Sequence, residues 1–129
     1  MRFDKFTARF QESLTQAESL ASANQNSTIE AEHFLLALLE SEDRLVRSIL
    51  AQVGVNVEAL KNDLQKIILN FPQIVDIADT AISPSFKRLL IETEKLSISK
   101  NDQYVSTELF LLTAVEDSKG VGKQLIKHG

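Results

Sequence analysis

Two histidines, a Gly-Val-Gly-Lys stretch and two carboxylates in matching contexts are the residues of this chain whose types could support chemistry. His33 and His128 lie far apart in unlike settings, so their spacing gives neither a chelating pair nor the base of a nucleophile triad. His33 instead reads as a surface or capping residue near a helix start. Gly120-Val121-Gly122-Lys123-Gln124 is similar to the end of a phosphate-binding loop, in which backbone N–H groups and the lysine hold phosphates. That pattern needs glycine where Asp117 stands and serine or threonine where Gln124 stands, and no strand precedes it, so nucleotide binding is not expected here. The absence of cysteine removes disulfides, thiolate metal sites and thiol nucleophiles, and is compatible with a reducing cytoplasm. No metal site, cofactor or catalytic group is expected in this chain.

The carboxylates are Glu32 and Glu108, and what pairs them is a repeat. An ungapped match at an offset of 76 residues sets Phe10 on Phe86, Leu14 on Leu90, Glu18 on Glu94, Leu20 on Leu96 and Ile29 on Val105. It continues with Glu32 on Glu108, Phe34-Leu35-Leu36 on Phe110-Leu111-Leu112, and Leu45, Ile49 and Leu50 on Val121, Leu125 and Ile126. Two copies of one unit imply two halves that cover each other's apolar faces about a pseudo-two-fold axis. Each glutamate falls in the first turn of a helix, where free N–H groups and the dipole stabilise a carboxylate by about 0.3–1 kcal/mol.

The elements that position these residues read as helices. Phe6, Phe10, Leu14, Ala17 and Leu20 recur at three- and four-residue spacing, as do Val57, Leu60, Leu64, Ile67 and Ile68, and Phe86, Leu90, Thr93 and Leu96. No segment alternates convincingly. Ser83-Pro84 and Ser106 read as helix starts, Gly54 as a left-handed stop and Asn56 as the next start. Phe34–Leu39 and Leu109–Leu112 are apolar nearly all round, which marks two central helices. Residues 72–82 have no helical period, and Ile74, Val75 and Ile77 are expected along the surface. The expected fold is all-α, one domain of two pseudo-symmetric repeats with about seven to eight helices: repeat one over 1–71, a connector over 72–82 and repeat two over 83–129. Gly129 matches Val53, after which the first unit continues into a helix from Asn56 to about Asn70. The second unit is therefore read as truncated before its last helix, in a chain cut from a longer protein.

With 43% hydrophobic and 25% charged residues the chain should bury a core. Its net charge of −4 offers no positive field for nucleic acid or an anionic membrane, and its apolar runs are far short of a bilayer span. A cytoplasmic monomer is expected.

Comparing the halves exposes an apolar surplus. Leu89, Ile91, Ile98, Tyr104 and Leu109 stand where the first unit has Ser13, Thr15, Ser22, Thr28 and His33. Leu89 borders the core stripe, while Ile91 and Ile98 lie seven apart on the far side of the helix. Two readings stay open: Leu89, Leu90, Ile91 and Leu109 line an apolar groove for unfolded segments, or they cement one repeat to the other.

Met1-Arg2-Phe3-Asp4-Lys5-Phe6-Thr7, the segment Glu32 to Leu39, Phe71-Pro72-Gln73 and Ser106-Thr107-Glu108-Leu109-Phe110 together resemble the N-terminal double Clp repeat, most closely that of the ClpB type. The resemblance covers essentially the whole chain. It implies a helical module tethered to a hexameric AAA+ ring, which threads aggregated polypeptide in cooperation with the DnaK system; ATP and magnesium would belong to ring domains absent here. The module would bind exposed apolar segments. Positions tied to activity in the family fall on Thr7, Asp102 and Glu108, with Glu32 as a second, pseudo-symmetric acidic position. Thr7 could instead simply open its helix, and Asp102 could form a turn with Asn101. Relatives of the ClpA and ClpC types imply an alternative, a domain that docks folded adaptors or phosphorylated arginine.

Overall fold

A computed structural model describes residues 4–41, 44–75, 80–115 and 121–128. Seven helices are described: α1 (Ala8–Ala23), α2 (Ala31–Glu40), α3 (Leu45–Gln52), α4 (Val57–Leu69), α5 (Pro84–Ser99), α6 (Thr107–Val115) and α7 (Val121–His128). The repeat is visible in the chain trace. Shifting α1 by 76 residues gives the bounds of α5, and shifting α3 gives those of α7. Thr7 and Ser83, one repeat apart, are both N-caps whose hydroxyls accept the N–H of Phe10 and of Phe86. Gln25 and Asn101, also one repeat apart, both take left-handed φ values, of 57° and 58°. Pro84 opens α5, Asn56 caps α4 by accepting the N–H of Ala59, and Gly54 has φ 92°, each as the local chemistry dictates.

Four phenylalanines make the centre. Phe10, Phe34, Phe86 and Phe110 come from α1, α2, α5 and α6 and are all fully buried. Phe34 lies 4.9 Å from Phe10, 5.5 Å from Phe86 and 4.7 Å from Phe110, ring centre to ring centre. Phe110 also meets Phe10 and Phe86 edge-on at 6.2 Å. Edge-to-face pairs of this kind add about 0.5–1.5 kcal/mol each beyond the area they bury. Around this centre α2 is buried on nearly every side, as its composition predicts. α6 is not: Leu112 is 54% exposed and Val115 is also exposed, whereas Leu36, the match of Leu112, is buried in the first repeat beside α4.

Sequence periodicity missed two short parallel pairings. β1 (Thr28–Ile29) pairs with β2 (Ala81–Ile82), setting Ile29 opposite Ile82. The repeat of that pairing is a bridge between Phe6 and Val105. The Ser83 N–H donates to the Ile29 carbonyl at 3.1 Å, and the Thr7 N–H to the Val105 carbonyl at 3.0 Å, so each half is stitched to the other by the same bond. The connector thus ends in a strand. Ile74 and Val75 are exposed as expected, while Ile77 lies outside the described residues.

His33 does cap its helix, but it is fully buried and not at the surface. Its Nδ1 accepts the Glu30 N–H at 2.8 Å, which leaves the ring proton on Nε2, donated to Asn26 Oδ1 at 2.9 Å. Asn26 in turn donates to the Pro72 carbonyl, Asn24 to the Ile68 carbonyl and Gln73 to Asn24, so one buried ring anchors the connector to α1, α2 and α4. Burial holds the His33 pKa below the usual 6.5, with the Glu30 carboxylate only partly opposing it. The unfolded chain therefore takes up a proton near 6.5 that the folded chain resists. Stability should be at its full value above that pH and fall as pH drops below it. Urea midpoints between pH 7.5 and 5.5 should show this decline in the parent and a weaker one in His33→Gln; identical slopes would refute the role of the ring. At the centre, Phe34→Ala should cost about 3–5 kcal/mol. A loss under about 1 kcal/mol by the same measurement would show that the quartet does not hold the halves together.

Candidate functional site

Thr7 and Glu108 are brought to one seam. The Thr7 hydroxyl caps α1, and its N–H bonds to Val105, one residue before Ser106. Ser106 Oγ accepts the Leu109 N–H at 3.4 Å, which starts α6 and puts Glu108 in its first turn, half-buried, with the Thr107 hydroxyl donating to it at 3.2 Å. Asp102 is exposed on the preceding loop, where its N–H donates to the Ser97 carbonyl and Asn101 supplies the left-handed turn. The pseudo-symmetric seam is chemically different. Ser83 caps α5 but also donates to Glu30 at 2.8 Å, and Thr28 donates to the other Glu30 oxygen at 2.7 Å. A carboxylate already sits at the start of α5, so an anion approaching there beside half-buried Glu32 meets like charge. Ser106 stands in the place of Glu30 in the second half.

The four apolar residues do not form an open groove. Leu89, Leu90 and Leu109 are buried, and of the four only Ile91 reaches the surface, 39% exposed. The cause is close packing of α5 on α6, which turns Leu89 and Leu109 inward beside Leu90. Among the described residues two clefts are formed by elements of the first repeat and the strand pair. A cleft of about 470 Å³ is walled by Leu20 and Ala23 of α1, Leu36 and Glu40 of α2, and Ile68 and Leu69 of α4, with Asn24 and Gln65 at its edge. Leu69 is 68% exposed on its lip. A second cleft, of about 220 Å³, lies between α1 and the strand pair and is lined by Gln11, Leu14, Thr15, Glu18, Ile29 and Ile82. Sequence comparison of the halves missed both clefts, because it looked for surplus apolar residues and not for gaps. Leu69 did carry a signal, being a leucine off the Leu60, Leu64, Ile68 stripe that buries α4.

Among the described residues no cluster of histidine and carboxylate side chains is arranged to hold a metal ion, and no helix is long and apolar enough to cross a membrane.

The model of the Clp repeat (R) N-terminal domain matches residues 5–128. Over its full length the chain is 35% identical to the chaperone protein ClpB of Pseudomonas putida, of which it spans 15%. Its backbone is similar to the Hsp104 N-terminal domain of Candida albicans, with a TM-score of 0.84 at 19% identity, covering 96% of this chain and 81% of that one. It is also similar to a ClpV N-domain solved in complex with a VipB peptide, with a TM-score of 0.78 at 25% identity, covering 98% and 78%. The duplicated helices, the shared stitching bonds and these likenesses agree, and the chain belongs to the family of Clp repeat N-terminal domains, with ClpB chaperones as relatives along its whole length.

Proposed function

We propose that this chain is the substrate-engaging module of a ClpB-type disaggregase, which takes hold of exposed apolar segments of unfolded or aggregated polypeptide and passes them to an ATPase ring. The observation that carries this reading is the open cleft of Leu20, Leu36, Ile68 and Leu69, an apolar surface on a domain that offers no reaction centre among its described residues. The chain does no chemistry itself; ATP and magnesium belong to the ring, the DnaK system acts beside it, and the setting is the cytoplasm. A relative with this fold holds a peptide of another protein, which supports a peptide-sized ligand over a large folded surface.

Burying one leucine-sized side chain is worth about 1.5–3 kcal/mol, and ordering a flexible segment consumes much of it. Binding should therefore be weak and quickly reversible, which suits a module that hands its cargo on. Thr7 and Glu108 at the Val105 seam, with Asp102 on the loop before it, would supply a polar flank apart from the cleft, suited to a segment's backbone or a basic side chain. Docking of phosphorylated arginine at both seams fits less well, because Glu30 occupies one of them.

Leu69→Ser should leave the melting temperature within about 2 °C and weaken binding of an unfolded casein-like client three- to tenfold, equivalent to about 1 kcal/mol. Fluorescence anisotropy titration reads both proteins. Unchanged affinity in Leu69→Ser, or tight binding of folded adaptors with none of the unfolded client, would overturn the proposal.

A further inference from the structure

The turn that follows the first helix of each repeat forms in the same way with or without a histidine beside it. In the first half the Gln25 N–H donates to the Ser22 carbonyl and the Asn26 N–H to that of Ala21; in the second, Asn101 donates to Ile98 and Asp102 to Ser97, all at 2.9–3.0 Å. Leu109 and Asp102 stand there in the places of His33 and Asn26, so the turn itself needs no imidazole. What the first half adds is a set of bonds to the connector. Asn26 Nδ2 donates to the Pro72 carbonyl at 3.1 Å, Gln73 Nε2 to Asn24 Oδ1 at 3.2 Å, and the Ile74 N–H to the Gln25 carbonyl at 2.9 Å. Asn26 Oδ1 sits at the middle of this set, accepting from His33 Nε2 at 2.9 Å and from Asn24 Nδ2 at 3.1 Å. The Phe71 ring lies 5.4 Å from the His33 ring.

A second proton on His33 has one place to go. Nδ1 accepts the Glu30 N–H at 2.8 Å, so an imidazolium sets two N–H groups against each other and leaves the Glu30 donor without its acceptor. A ring that turns away to relieve this loses Asn26 and its contact with Phe71. The Glu30 carboxylate favours the proton, but its oxygens also accept from Thr28 and Ser83. Glu32 lies half-buried beside His33 on α2, and the last turn of α4 carries exposed Lys66. The end of α1 and the connector bring Asn24, Asn26, Phe71, Pro72 and Gln73, none of which titrates.

We infer that His33 is a proton-operated latch: a proton on Nδ1 frees the connector from Phe71 to Ile74 from the turn between α1 and β1, while the paired repeats stay folded. Burial, which holds the ring below its usual pKa of 6.5, keeps the latch shut at neutral pH and places release on the acid side. The open form binds the proton more tightly, so acid shifts the population toward it. The phenylalanine quartet and the bonds of Thr7 to Val105 and Ser83 to Ile29 take no part in these contacts and keep the halves together. Release frees Phe71, half-buried two residues past Leu69, beside the larger cleft that Asn24 edges, so acid adds apolar surface there whatever the cleft binds.

NMR titration of the chain from pH 7.5 to 4.5 tests the latch by following the His33 ring nitrogens together with the amides of Phe71, Gln73 and Ile74. The three amides should shift with the midpoint of the ring, and the order parameter at Ile74 should fall from about 0.85 to below about 0.6. The Thr7 and Val105 amides, which stitch the other seam, should show no transition at that midpoint. His33→Gln should remove the transition at Ile74. Asn26→Ala, which keeps the backbone bonds of the turn, should lower the order parameter at Ile74 already at pH 7.5 and leave Thr7 and Val105 in place. A ring that titrates with no response at Ile74, or a transition there that survives in His33→Gln, would overturn the inference. Loss of all native signals in one step would overturn it too, since the proton would then unfold the whole domain and release no latch.

Discussion

The meeting of Phe34 with Phe110 across 4.7 Å is the constraint to which the remaining structure answers. The two residues are one repeat apart, so the contact sets a position against its own copy. Phe10 and Phe86 close around it from α1 and α5. Neither half can bury these rings alone, and fixing them fixes the relative placement of four helices. Packing at such a point tolerates little change, because the surrounding atoms relax only partly when volume is lost. The periphery is under no such restriction, and there the two copies differ in chemistry.

Those differences are concentrated where one half is stitched to the other. His33 is matched by Leu109, Glu30 by Ser106 and Asn26 by Asp102. In the first half these residues build a buried polar latch that ties down the connector through Pro72 and closes the start of α5 with a carboxylate. In the second half an apolar leucine replaces the ring and the acid moves out to solvent as Asp102. A buried histidine with both nitrogens bonded specifies one arrangement of its neighbours, and its lowered pKa is the cost of keeping it neutral there. The same backbone thus carries a seam anchored by a buried polar latch and a second seam of different chemistry.

Much of the fold was legible because its signals are local. Ser83-Pro84 and Asn56 act on the next few N–H groups, and the 3.6-residue stripe of Leu60, Leu64 and Ile68 needs no knowledge of the partner helix. The strand pairs were not legible, since two residues have no period and Thr28 meets Ala81 across more than fifty residues of chain. The site was half legible. Comparing the copies did find the positions that differ, but exposure depends on how closely α5 and α6 approach, and that turned Leu89 and Leu109 inward. Thr7 and Glu108 share a seam through the Val105 bond, a contact no spacing rule contains.

A duplicated fold with a fixed centre can make a binding surface without adding any element. Matched positions can carry side chains of different size while the shared stitching bonds hold the backbone. Ile82 against Phe6 is such a pair, held on both seams by an N–H to carbonyl bond of nearly equal length. The larger cleft arises differently: α4 covers Leu36 yet leaves Leu69 beyond its buried stripe, so the wall that protects the core also presents a leucine to solvent. Both routes yield shallow apolar surface on a rigid frame. A surface that need not reorganise loses less free energy when a ligand is ordered on it, so preorganisation can matter more for affinity than contact area.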